Sequence, residues 1–186
     1  MLYQSLLRDV SFYELLYRID VDLASEVRAA GCECGGALHR GDYRRKPRGG
    51  PSDLGKEAAT PRLSTCCSRE GCRRRKTPPS LRFLGRKAFF GVVVLLVPVL
   101  REGPTPARLD RLAEELQVSV RTIRRWQRWW REVFGRSPAL DRIQGLCSEP
   151  IDRESLPWSL LLVFRGVADA GDRVLAVLRG VSGQAR

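Results

Sequence analysis

Between Thr105 and Phe134, apolar and charged positions separate onto opposite faces of two predicted helices. Thr105-Pro106 offers a hydroxyl cap followed by a proline suited to the first helical turn. Leu109, Leu112, Ala113 and Leu116 then recur at helical spacing. Gln117-Val118-Ser119 interrupts the period, and Ser119 can cap a second helix that starts at Val120. There Ile123, Trp126, Trp130 and Phe134 share one arc at about 100° per residue, while Arg121, Arg124, Arg125, Arg128 and Arg131 share the opposite one. No acidic residue lies between Val120 and Arg131, so this is not a solvated face laced with i,i+4 ion pairs. The pattern predicts a helix-turn-helix, whose second helix is anchored from behind and enters the DNA major groove. An arginine fork suits that face because it grips phosphate oxygens or the O6/N7 edge of guanine. The candidate DNA-binding residues are Ser119, Arg121, Thr122, Arg124, Arg125, Arg128 and Arg131. Arg121, Thr122, Arg124 and Arg125 are expected nearest the bases, with Arg128 and Arg131 nearer the backbone.

The remaining apolar pattern is also mostly helical. Ser11-Phe12-Tyr13-Glu14 reads as a capping box opening a helix from Phe12 to about Ile19, followed by a second from Leu23 to Ala30 that Gly31 stops. Leu81 to Leu100 is strongly apolar, but its uncharged run, Ala88 to Leu100, is only 13 residues. That is short of the roughly 20 needed to span a bilayer, so no membrane partner is expected. A buried helix fits better, although its many β-branched residues leave a strand open. The tail from Leu156 to Val181 predicts two helices around an Asp169-Ala170-Gly171-Asp172 break. Leu160, Leu161, Val163 and Phe164 cover much of the first helix, so it must pack on the rest of the chain or on another subunit. Residues 156–181 are thus the candidate contact for a homo- or hetero-oligomer.

Six cysteines add a second module. Cys32 and Cys34 lie in Cys-Glu-Cys-Gly-Gly, and Cys66, Cys67 and Cys72 in Cys-Cys-Ser-Arg-Glu-Gly-Cys. Two tight knuckles some thirty residues apart have the layout of a zinc ribbon. Cys32, Cys34, Cys67 and Cys72 are the expected ligands of one Zn2+ per chain. The first knuckle has one intervening residue where two are usual, and either Cys66 or His39 is an alternative ligand. A disulfide framework is the rival reading; the first ten residues show no secretory pattern, so a cytoplasmic, reduced protein is expected. Cys147 stands apart and fits a small buried residue.

The formal net charge of +12 favours a polyanionic partner. From His39 to Lys76 there are twelve Lys and Arg against four acidic residues, whereas from Ser137 onward the counts are six and six. Arg44, Arg45, Lys46 and Arg48 lie between the knuckles, and Arg73, Arg74, Arg75 and Lys76 follow the last cysteine. Set among glycine and proline, these eight are expected to contact phosphates without reading sequence. Enzyme signatures are missing: no Gly-rich nucleotide loop, no Gly-x-Ser-x-Gly elbow and a single histidine, so no catalytic centre is expected. Asp141, Asp152, Glu154, Asp169 and Asp172 read as caps and surface charges. The fold class expected is mainly α, with a small zinc-ribbon β element and a helix-turn-helix core. It divides into a helical element (1–30), a ribbon with basic loops (31–80), the helix-turn-helix domain (81–136) and a helical tail (137–186).

A cysteine ribbon, a basic stretch, an apolar helix and then Leu-Ala-Glu-Glu-Leu-Gln-Val-Ser-Val-Arg-Thr-Ile-Arg-Arg-Trp from Leu112 to Trp126 together resemble the DNA-binding half of bacterial insertion-sequence transposases. The resemblance spans roughly Cys32 to Phe134. It implies recognition of an element's terminal repeats by the ribbon and the helix-turn-helix. The RNase H-like catalytic domain of those proteins has no counterpart in the fifty or so residues after Phe134. The expectation is therefore a zinc-stabilised, sequence-specific duplex DNA-binding protein of a bacterial mobile element, nucleoid-associated. It would act as an accessory or regulatory subunit beside a separate recombinase or nuclease. An RNA-binding ribbon module and a protein adaptor docking through the C-terminal helices are the alternatives; the narrow A-form major groove argues against the first.

Overall fold

The computed structural model describes residues 3–85, 87–101, 114 and 116–183. The first helix expected for the helix-turn-helix, from Thr105 to Leu116, therefore lies almost wholly outside the described residues. Helix α1 (Val10–Ala29) is one continuous element, not the two short helices expected from the sequence. Nothing between Ile19 and Leu23 breaks it, because Asp20-Val21-Asp22 contains neither glycine nor proline. Its cap is also displaced from the expected Ser11: Asp9 Oδ1 accepts from the Phe12 N–H at 3.2 Å. Phe12, Tyr13 and Leu16 point into the core.

The cysteine-bearing segment forms a small antiparallel sheet. Strand β1 (Leu38–Arg40) pairs with β4 (Thr65–Cys67), and β4 with β5 (Arg75–Lys76). Leu38 stands opposite Cys67 and Thr65 opposite Lys76. Strands β2 (Tyr43–Arg44) and β3 (Pro61–Arg62) make a separate antiparallel pair, with the short helix α2 (Lys56–Ala59) ahead of β3.

The apolar run expected to be helical from Leu81 begins its helix only at Gly91. Helix α3 spans Gly91–Arg101. Residues before it are tied elsewhere. Leu81 N–H and the Ser80 hydroxyl both donate to Asp20, and Gly85 turns the chain at φ +60°. Val92 through Val97 are completely buried. Pro98 sits inside this helix and has no N–H for the Val94 carbonyl four residues back. The indole of Trp130 supplies the missing donor, with Nε1 2.9 Å from Val94 O. One buried bond thereby satisfies a tryptophan and a proline-freed carbonyl together.

Helix α4 (Val120–Arg128) continues through a π-helical turn (Trp129–Val133) and a 3-10 turn (Phe134–Arg136). Helices α5 (Pro138–Gln144), α6 (Trp158–Val163) and α7 (Ala170–Ser182) follow. Ser137-Pro138 starts α5 with the same cap-and-proline signature that Thr105-Pro106 carries in the sequence. Asp169 caps α7 as expected, accepting from Gly171 and Asp172 N–H. The tail helices pack on their own chain. Leu160, Leu161, Val174, Val177 and Leu178 are buried in the same cluster as Leu16, Val94 and Trp130. That single cluster draws on side chains from Tyr3 to Leu178 and so joins the helical parts of all four expected segments. Among the described residues, no helix is long and apolar enough to cross a membrane.

Candidate metal centre and basic surface

The four expected cysteines converge. The Sγ atoms of Cys32, Cys34, Cys67 and Cys72 all lie within 4.8 Å of one another. Cys32 and Cys72 are 3.8 Å apart and Cys34 and Cys67 3.5 Å, far beyond a disulfide bond near 2.05 Å. A tetrahedral ion with metal–sulfur bonds of about 2.3 Å separates its thiolates by about 3.8 Å, so the cluster has the dimensions to hold one. The first knuckle closes through Gly35 N–H on Cys32 O at 2.8 Å, with Gly35 at φ +80°. Gly36 must lack a side chain, since a Cβ there would meet Cys67 Sγ at 2.7 Å.

The strand decides between neighbouring cysteines. Cys66 and Cys67 are consecutive on β4, so their side chains leave opposite faces. Cys67 is buried against Leu38 and Cys32, while Cys66 Sγ lies 3.4 Å from Arg73 O on the other side. His39 is paired with Cys66 in the β1–β4 ladder and is exposed. Neither belongs to the cluster. Cys147 is half-buried on α5's C-terminal side, bonded to Ile143 O.

The thiols influence one another. Cys34 is lowered to about 6, first by the Gly36 backbone N–H and then by the Cys67 and Cys72 thiols. Cys67 moves the other way, to about 12. The Arg69 N–H on its sulfur acts to lower it, but burial and the Cys34, Cys32 and Cys72 sulfurs outweigh that bond. Thiols packed this closely cannot all ionise without a positive charge among them, which is what a divalent cation supplies.

The eight basic residues around the cysteines divide by what their side chains touch. Arg44, Lys46, Arg48 and Arg73 are exposed. Arg74 pairs with Glu33, and Lys76 Nζ lies 3.6 Å from the same carboxylate. Arg75 donates to Gly41 O at 2.7 Å and to the Ser64 hydroxyl at 2.9 Å. Arg45 departs furthest from the expected phosphate role. Its guanidinium donates to Gly85 O and Lys87 O, both at 2.9 Å, and lies over the Phe83 ring at 5.0 Å. It is a strut between the β2 loop and the segment before α3, and the contacts that make it so lie some forty residues away in sequence.

Helix α4 separates its faces as the periodicity indicated. Ile123, Trp126, Trp130 and Phe134 are buried, and Arg121, Arg124, Arg125, Arg128 and Arg131 are exposed. Phe89 packs edge-on against Trp126 at 4.9 Å, and Phe134 against Trp130 at 5.0 Å. Ser119 Oγ accepts from Thr122 N–H at 3.3 Å and lies 3.0 Å from the Thr122 hydroxyl. Before the cap, Leu116 and Val118 are buried and Gln117 takes a left-handed turn at φ +51°. Of the five arginines, Arg128 has an acidic neighbour, Glu132, at 4.0 Å. No sequence pattern singles out Lys87, whose Nζ lies 3.6 Å from the centre of the Trp129 ring.

In comparison with known proteins, no protein family, no curated sequence and no solved structure matches this chain. The functional reading therefore rests on the metal cluster, the arginine helix and their setting.

Proposed function

We propose that this chain is a zinc-stabilised, sequence-specific duplex DNA-binding protein without a catalytic centre of its own. The observation that carries the reading is helix α4: an exposed row of five arginines backed by a fully buried aromatic face. A helix entering a major groove needs both features, since its charged side must reach base edges while its back holds it rigid. In this reading α4 is the second helix of a helix-turn-helix, with Gln117-Val118-Ser119 as its turn. Zinc on Cys32, Cys34, Cys67 and Cys72 fixes the strands that carry the neighbouring basic residues. The resemblance to the DNA-binding half of insertion-sequence transposases supports placing the protein with a mobile element, as an accessory or regulatory subunit beside a separate recombinase or nuclease.

Selection from a random duplex library, followed by titration of the enriched site, tests this reading. Arg121→Ala or Arg125→Ala should cost about 1–3 kcal/mol of binding and relax base preference at one position, as expected when a bidentate base contact is removed. Equal affinity of these variants and the parent for the selected duplex would overturn the assignment of α4. Equal affinity of the parent for duplex RNA of the same length would overturn the choice of nucleic acid.

The exposed basic residues predict a different outcome. Arg44, Lys46 and Arg48 make no side-chain hydrogen bond or ion pair among the described residues, so they are available to phosphates. Neutralising all three should weaken binding to selected and random duplex alike. The slope of log K against log salt should become shallower by about 0.9 for each phosphate that is no longer neutralised. An unchanged slope would remove these residues from the interface. Arg45→Ala, by contrast, should lower the melting temperature, because it strips donors from Gly85 O and Lys87 O.

A further inference from the structure

A cleft of about 610 Å3 opens between the segment after β5 and the end of the helical domain, lined by none of the four clustered cysteines and none of the five arginines of α4 and its continuation. Phe83, Leu84, Trp129 and Phe134 give it apolar walls, and among the described residues the charged side chains lining it are Arg62 and Lys87. We propose that this cleft is a binding site for a small organic anion, a carboxylate or phosphate head carried on a flat apolar body. The inference is independent of the DNA-binding reading.

Each cation in the cleft needs an acceptor. Arg62 is 8% exposed; its Nη2 holds the Pro78 carbonyl at 2.5 Å, and among the described residues its Nη1 has no hydrogen-bond partner. Arg62 therefore carries an incompletely paired, desolvated positive charge at the cleft wall, and an anion in the cleft offsets that charge. Lys87 lies with its ammonium on the Trp129 ring at 3.6 Å, which fixes its position and leaves its N–H bonds to be satisfied at the rim. Burial, with repulsion from Arg125 second, pushes Lys87 down to about 8, and an anion beside it reverses both effects. Burial likewise lowers Arg62, with Asp20 acting in the opposite direction. No carboxylate lines the cleft among the described residues to occupy either cation. The volume falls in the range of small-molecule sites, and apolar aromatic walls with a few polar or charged groups are their usual chemistry.

The test uses the full-length, metal-loaded protein and two probes that share a ring system: 2-naphthoate and neutral 2-naphthalenemethanol, each titrated by calorimetry. The carboxylate should bind at least about tenfold more tightly than the alcohol. Lys87→Gln should remove most of that preference while leaving the alcohol's affinity in place. Arg179→Gln, which removes the same charge from an exposed site on α7 outside the cleft, should leave both affinities unchanged. Ala139→Trp, which fills the cleft from α5, should block both probes. Three results would overturn the proposal: no saturable binding of naphthoate, equal affinity for the two probes, or a preference that survives Lys87→Gln. If Ala139→Trp does not fold, Lys87→Gln and its charge-matched control still decide the question.

Discussion

Stripping the metal should unfold the cysteine module and leave the helical core standing. The reason lies in how little else holds that module together. Its own buried cluster consists, among the described residues, of Cys32, Leu38 and Cys67, with Val27, Cys34 and Cys72 packed around them, so Leu38 is the one buried aliphatic side chain within that cluster. Three strands of two or three residues cannot be stable on so small a core. A structural zinc site contributes apparent binding energies of about 10–16 kcal/mol in small zinc-binding peptides, and that energy is folding energy. We therefore expect one zinc per chain by metal analysis, lost with Cys32→Ser or Cys67→Ser and retained with Cys66→Ser and Cys147→Ser. Thiol titration of the native, metal-loaded protein should find Cys66 and Cys147 reactive, and all six cysteines after chelation. Helical circular dichroism should fall only slightly, because α1 and α3 to α7 pack in the other cluster. Protein purified without stoichiometric metal, or a Cys66→Ser variant as depleted as Cys67→Ser, would overturn the centre described above.

The candidate site was legible where its signal is local. The convergence of Cys32, Cys34, Cys67 and Cys72 follows from two short knuckles, and the opposed arcs of α4 follow from a helical period that burial of Ile123, Trp126, Trp130 and Phe134 bears out. The choice between Cys66 and Cys67 was open until β4 was placed, because spacing cannot separate neighbours whereas strand alternation does. Arg45 shows the opposite case. Its place in a basic run suggested a phosphate contact, but its partners, Gly85 O and Lys87 O, are 40 and 42 residues away. Composition carries no trace of such a pairing.

The fold shows the same division. Helices α4, α6 and α7 were readable from caps and periodicity. The start of α3 was not, since Leu81, Phe83, Leu84, Phe89 and Phe90 carry the apolar pattern up to the helix without a break that marks its first residue. The first residues of that stretch are held by bonds from Ser80, Leu81 and Arg82 to Asp20 on α1, and Gly85 then turns the chain at φ +60°. Pro98 would be read as a helix breaker from sequence, yet α3 continues past it. The donor that makes this tolerable, Trp130 Nε1, comes from 36 residues away. Periodicity alone puts the aromatic arc of α4 and its continuation in the core, but the hydrogen bond that Trp130 makes there depends on the three-dimensional packing.

Asp20→Asn should be among the most damaging single substitutions in the helical core. Asp20 and Arg82 form an ion pair at 2.8 Å in which the side chains are 1% and 0% exposed. The carboxylate also accepts from Leu81 N–H at 2.7 Å and from the Ser80 hydroxyl. Arg82 in turn donates to Ala58 O and, at 2.7 Å, to Pro61 O, and its guanidinium lies 4.6 Å from the centre of the Tyr17 ring. The network thus fastens α1 to α2, to the start of β3 and to the segment that leads into α3. Removing one member of a buried pair typically costs about 3–5 kcal/mol, because the remaining charge stays desolvated with no counter-charge. Asparagine keeps the shape and an acceptor for Leu81 N–H, so the loss is electrostatic and not a cavity. Against a total stability of about 5–15 kcal/mol for a typical domain, the variant should unfold at much lower denaturant. Adding Arg82→Met should recover part of the loss by withdrawing the stranded cation. Recovery cannot be complete, because Ala58 O and Pro61 O then lose their donor. Chemical unfolding of the two single variants and the double variant measures this coupling. An Asp20→Asn protein within about 1 kcal/mol of the parent would show that the pair does not hold these elements together.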